Sequence, residues 1–216
     1  MISEASIETK PFRGARITVH TGRAFDDVQH SLRSLMGAVK VSEIVALAKE
    51  PISEAEFARL VEERYVGKSG FMLFAEIDHS WISKYGITQR MVRWILGNPL
   101  YAITMIRHDI TAGLFAPVEL LVTEDANRGG TTVTYVRPSS LIVIEENFPL
   151  LAAAQSVDSK LAALVAEAAD SANQMVKSHV KPGEERWRDD RGAAPGAWRG
   201  EHATGIEFRR RIRRVE

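Results

Sequence analysis

The chain has 216 residues, 28 basic and 28 acidic side chains, 45% hydrophobic residues and 26% charged ones. That composition suits one globular domain with appendages, and it excludes wholesale disorder, which goes with low hydrophobicity and high net charge. With no cysteine, a disulfide framework, a thiolate zinc site and a thiol nucleophile are excluded, and no run approaches the roughly 20 apolar residues of a membrane span. The opening MISEASIETK lacks the apolar stretch of a secretory signal, so a cytoplasmic location is the expectation.

Residues 1–13 read as a leader. The alternation in Arg16–Thr21 predicts a strand, because strand side chains point to opposite faces in turn. Phe25, Val28, Leu32 and Leu35 follow at helical spacing, with Asp26 and Asp27 where a helix dipole favours negative charge. Residues 41–66 predict two helical pieces, the second opened by Ser53 with Glu56 three residues on, the spacing of a capping box. Phe71–His79 predicts a strand with Met72, Phe74, Glu76 and Asp78 on one face, and Phe71, Leu73, Ala75, Ile77 and His79 on the other. A short helix over Trp81–Tyr85 ends at Gly86, and a strand runs from Arg90 to Leu96.

Gly97-Asn98-Pro99 combines a turn residue, an N-cap and a first helical residue, and predicts a helix over about 99–109. Val118–Glu124 and Thr131–Arg137 predict a hairpin joined by a Gly-rich loop. Leu141–Ile144 reads as a last short strand, and Pro149 opens a long helix with Val157, Leu161, Leu164, Val165 and Ala168 on one stripe. The expected fold is α+β: a two-layer sandwich, its mostly antiparallel sheet packed by helices, with an extended C-terminal arm.

The neutral total hides an asymmetry. From Lys177 onward there are 11 basic and 7 acidic residues, a net of +4, so residues 1–176 carry −4. Residues 179–216 read as a basic arm outside a domain at 14–178, because Gly and Pro interrupt any regular element there. Trp187, Trp198 and Phe208, with Arg209, Arg210, Arg211, Arg213 and Arg214, suit a protein interface, where Trp and Arg are common hot spots. A solvated tail is the plainer reading. Nucleic-acid binding is the weaker one, since acidic residues interleave the arm and the body shows no basic patch with aromatics.

Three motifs stand in order along the chain: Ile77-Asp78-His79 at a strand end, Gly97-Asn98-Pro99 after the next strand, and Gly113-Leu114 with Pro117 before the hairpin. On these motifs the chain resembles the bacterial and archaeal domain-of-unknown-function 302 family, over about residues 14–170. The resemblance implies a compact α+β fold, often dimeric, and no established reaction. The helical piece at 41–66 is longer than the family has there, Ala116 precedes Pro117 where the family has Leu, and the arm lies outside the family domain.

Asp78 and His79 are the catalytic candidates, His79 because an imidazole titrates near neutral pH. The plainer readings make Asp78 a helix cap and His79 a carbonyl partner that fixes the following helix. Gly97, Asn98, Pro99 and Leu100 are the ligand-binding candidates, through amides that would hold an anion, against a plain N-cap. Glu76, Asp78, His79, His108 and Asp109 are the available metal ligands, but their spacing matches no metal site. No metal and no cofactor are expected. Gly-x-Ser-x-Gly, Walker and Gly-x-Gly-x-x-Gly motifs are absent.

The leading expectation is therefore a non-catalytic ligand-sensing or assembly domain, whose arm docks on a partner subunit in a homo-oligomer or a larger assembly. The alternative is a small-molecule enzyme using Asp78 and His79 near the helix start at Asn98; the second alternative is nucleic-acid binding through the arm.

Overall fold

A strand that alternates in burial and a helix that keeps an apolar stripe each need an apolar surface to cover them, and the chain packs them on each other. The computed structural model describes residues 6–169. The strands are β1 (Arg16–Thr21), β2 (Gly37–Ala38), β3 (Met72–Asp78), β4 (Met91–Gly97), β5 (Val118–Glu124) and β6 (Thr131–Val136). They form one sheet in the order β1-β6-β5-β4-β3-β2. Every pairing is antiparallel except the short β2–β3 edge, which is parallel.

The helices are α1 (Phe25–Leu35), α2 (Val41–Ala48), α3 (Glu54–Tyr65), α4 (Pro99–Ile106), α5 (Pro138–Ile142) and α6 (Phe148–Ala168). Two 3₁₀ segments, Ser80–Tyr85 and Ile110–Phe115, complete the described residues. The fold is α+β, with a mixed six-stranded sheet and helices. The arm residues Trp187, Trp198, Phe208, Arg209, Arg210, Arg211, Arg213 and Arg214 lie outside the described residues.

Register decides which face is core. Val92 lies opposite Val122, which lies opposite Val133, and Trp94 lies opposite Leu120. All five are buried, and they pack with Phe25, Val28 and Leu32 of α1 and Leu161 and Leu164 of α6. Burying one such aliphatic side chain contributes about 1.5–3 kcal/mol. Residues one position along, Arg93, Leu121 and Thr134, share the opposite face and stay partly exposed. A smaller core forms at the other edge, where α2 and α3 place Leu47, Leu60 and Val61 against Val39 and Met72.

Side-chain caps open three of the six helices among the described residues. Ser53 accepts from the Glu56 amide at 3.1 Å, while the Glu56 carboxylate is held by Arg59, so the capping box closes from one side only. Asn98 caps α4 and Asn147 caps α6, each followed by a proline in the first turn.

Three expectations are corrected. The expected strand at Leu141–Ile144 does not form: Leu141 and Ile142 instead end α5, because Pro138 occupies a first-turn position and starts a helical turn that buries Ile142. The regular alternation expected over Phe71–His79 breaks at a bulge between Leu73 and Ala75. Leu73 faces the core with Leu96, and after the bulge Glu76 and Asp78 take that face opposite Trp94 and Val92, while Met72 belongs to the other. Gly97 serves close packing rather than a turn: it is the last residue of β4, and a Cβ there would lie 3.1 Å from Phe74 Cε2 and 3.3 Å from Pro117 Cβ.

Candidate functional site

The bulge, the Gly97-Asn98-Pro99 junction and the entry to β5 meet at one place. They enclose a cavity of about 410 Å³ between α2, α4 and the end of the sheet. Its wall includes Val41 and Ile44 from α2, Phe74 and Ile95 from the sheet, and Ala102 and Met105 from α4. Gly97, Pro99 and Pro117 also line it. The Ala116–Pro117 peptide is cis. Two of the three sequence motifs therefore converge on this cavity.

Asn98 is the polar residue at its end, and it is 4% exposed. Its Oδ1 accepts from the Leu100 amide at 2.8 Å, and its Nδ2 donates to the Gly70 carbonyl at 2.9 Å. The Tyr101 and Ala102 amides both donate to the Asn98 carbonyl, at 3.0 and 2.9 Å. Pro99 has no N–H. The start of α4 thus leaves no amide for an anion, and the cap accounts for Asn98 and Pro99, while close packing accounts for Gly97. Leu100 packs against the smaller core. The Tyr101 ring meets Phe71 edge to face at 5.7 Å, and Lys160 Nζ sits 4.8 Å from the centre of the same ring.

Asp78 and His79 stand elsewhere. Met72 lies opposite Gly97 while Asp78 lies opposite Val92, so the two candidate sites occupy opposite ends of the β3–β4 ladder. Met72 and Asp78 stand six residues apart along β3, about 20 Å at ~3.3 Å per residue. Joint chemistry by Asp78, His79 and the Asn98 helix start is excluded by that separation.

Asp78 Oδ1 accepts from the Ser80 amide at 2.8 Å, two residues on, while His79 takes the N-cap position of the 3₁₀ segment. His79 Nδ1 lies 2.9 Å from the Ile77 carbonyl, and its ring stands 6.2 Å from Trp81. Asp78 therefore turns the chain just before the 3₁₀ segment without occupying its N-cap position, and His79 contacts a carbonyl.

The remaining acidic and imidazole candidates are scattered. Arg33 forks onto Glu76 and lies 5.2 Å from the centre of the Trp94 ring. Asp109 accepts from both the amide and the hydroxyl of Thr111, and those bonds, the hydroxyl first, hold its carboxyl below the usual range. The His108 carbonyl accepts from Asn147. Among the described residues no three His, Asp or Glu side chains converge as a metal site would require. No helix among them is long and apolar enough to cross a membrane.

Most of the cavity wall was missed by sequence reasoning: Val41, Ile44, Phe74, Ala75, Ile95 and Ala102 come from four elements and carry no motif. Pro117 was the available signal, since its motif ended in the residue that packs against Gly97.

A crystal structure of an uncharacterised conserved DUF302 protein from Bacillus stearothermophilus is similar at 18% identity, covering 71% of this chain and 97% of that one with a TM-score of 0.49. No curated protein matches. The profile described as domain of unknown function DUF302 matches residues 47–168, which is more than half of the chain, and the chain belongs to that family.

Proposed function

We propose that this domain senses a small apolar ligand by taking it into the cavity between α2 and α4. One observation carries the reading: about 410 Å³ of space is walled almost wholly by carbon, and the buried polar residue at its end, Asn98, has both ends of its amide engaged. Natural small-molecule pockets span about 300–1,000 Å³ and are mostly apolar. Such a wall selects by shape and hydrophobicity. Hydrolysis or proton transfer would need a nucleophile or base within hydrogen-bond reach of the bound molecule; the wall has no carboxylate, imidazole or amine, and its one ionisable side chain is the Tyr101 phenol.

The reading is tested by titrating the full chain with N-phenyl-naphthylamine, whose fluorescence rises in apolar surroundings. Saturable binding at one site is expected. Ala102→Phe and Ala75→Phe each fill the cavity and should abolish it while the far-ultraviolet circular dichroism stays unchanged. Equal binding by wild type and both folded variants would overturn the assignment, as would no binding to the wild type.

A further inference from the structure

At the opposite end of β3 a second recess of about 460 Å³ opens between α1 and the β3–β4 connection. Five ionisable side chains line it: Asp26, Arg33, Glu76, Asp78 and Arg90. Both guanidiniums are already matched. Arg33 forks onto Glu76. Arg90 bonds Asp26 at 2.9 Å and Glu124 at 3.0 Å, and it lies 4.6 Å from the centre of the Phe25 ring. Asp78 has no basic side chain within ion-pair distance among the described residues, and only its Oδ1 is engaged, by the Ser80 amide. The recess therefore carries one uncompensated negative charge.

Gln29 supplies the complementary feature. It is 7% exposed and lines the same recess. Its Oε1 faces Arg33 Nη2 at 3.4 Å, while its amide nitrogen has no acceptor among the described residues. That nitrogen stays open to solvent along the recess, so a molecule that brings an acceptor can replace the water there. Phe25, Ile82 and Met91 give the recess an apolar lining.

We propose that this recess binds a small organic monocation: a protonated amine whose charge meets Asp78 and whose hydroxyl or carbonyl oxygen accepts from Gln29. An anion is disfavoured because both arginines are saturated and the surplus charge is negative. The recess shares no lining residue with the apolar cavity, so the two assignments stand or fall separately.

Three probes with one skeleton and different charge decide it: tyramine, the neutral alcohol tyrosol, and 4-hydroxyphenylacetate, each titrated by calorimetry and by amide nuclear magnetic resonance into the full chain. Tyramine should saturate, and it should shift the Ser80 backbone amide and the Gln29 side-chain amide. The alcohol should bind more weakly and the anion not at all. Asp78→Asn retains the bond to the Ser80 amide and should lose about tenfold or more in affinity, the scale of a charge-assisted hydrogen bond. Gln29→Met should weaken binding with the fold preserved. No saturation by tyramine at about 10 mM, equal binding of the anion, or undiminished binding by Asp78→Asn would overturn the proposal.

Discussion

The side-chain amide of Asn98 donates to the carbonyl of Gly70 across 2.9 Å. The same side chain caps α4, so one buried residue ties the helix start to the turn that leads into β3. Asn98→Ala removes the cap and leaves the Gly70 carbonyl without its donor; it should cost roughly 2–4 kcal/mol. Asn98→Ser keeps a capping oxygen and should recover about 1 kcal/mol of that. Urea unfolding measures both. A cost below about 1 kcal/mol for the alanine variant would mean that the bridge adds little beyond an ordinary cap.

Gly70 itself is held at φ 82°, a left-handed conformation that glycine adopts without strain. A Cβ there would also run into the hydroxyl of Tyr101. Gly70→Ala should therefore destabilise by about 1–3 kcal/mol from backbone strain alone, and by more with the collision. In a Tyr101→Phe background the hydroxyl is gone, and the penalty should fall by ~0.5 kcal/mol or more, the size of coupling expected between touching residues. A double-mutant cycle of urea midpoints gives the coupling directly, and additive penalties would show that the collision is absorbed elsewhere.

Asp158 on α6 accepts from the Ser139 amide at 2.9 Å, holding the first turn of α5. Burial is the larger influence on this half-buried carboxyl, and it pushes the pKa up. A raised pKa means that the folded protein holds the proton more tightly than the unfolded chain. The stabilisation is fully present below the ordinary carboxylate range and is lost as pH rises through the raised value. At neutral pH the ionised group is therefore a cost. Asp158→Asn keeps the acceptor and removes the charge, so it should unfold at higher urea than wild type at pH 7. The two should converge below the ordinary carboxylate range. A lower urea midpoint for the variant at pH 7 would reverse the sign.

What could be read in advance was local chemistry. Ser53, Asn98 and Pro99 announce helix starts because a cap depends on residues two or three positions away. The alternation of β5 and β6 was legible for the same reason. The bulge at Phe74 was not, since the segment alternates without a break and the extra residue is defined only by pairing with β4. Leu141 and Ile142 form a short apolar run that fits strand or helix equally, and Pro138 decided for helix. The cavity was hidden more completely: its wall runs from Val41 to Val157, and no period in the chain reports a space assembled across that distance.

The face assignment of the sheet yields a contrast between neighbours. Leu120 is 1% exposed and lies opposite Trp94 on the helix-covered face, whereas Leu121 lies opposite Arg93 and Thr134 on the other. Because successive strand residues point to opposite faces, a single step in register would exchange their roles. Leu120→Ala should leave a cavity among well-packed neighbours and cost about 2–5 kcal/mol. Leu121→Ala removes a side chain that is already partly solvated and should cost about 1 kcal/mol or less. Urea unfolding of the pair tests the register of β5 without any ligand: similar penalties, or a larger one at Leu121, would mean that the helices cover the opposite face.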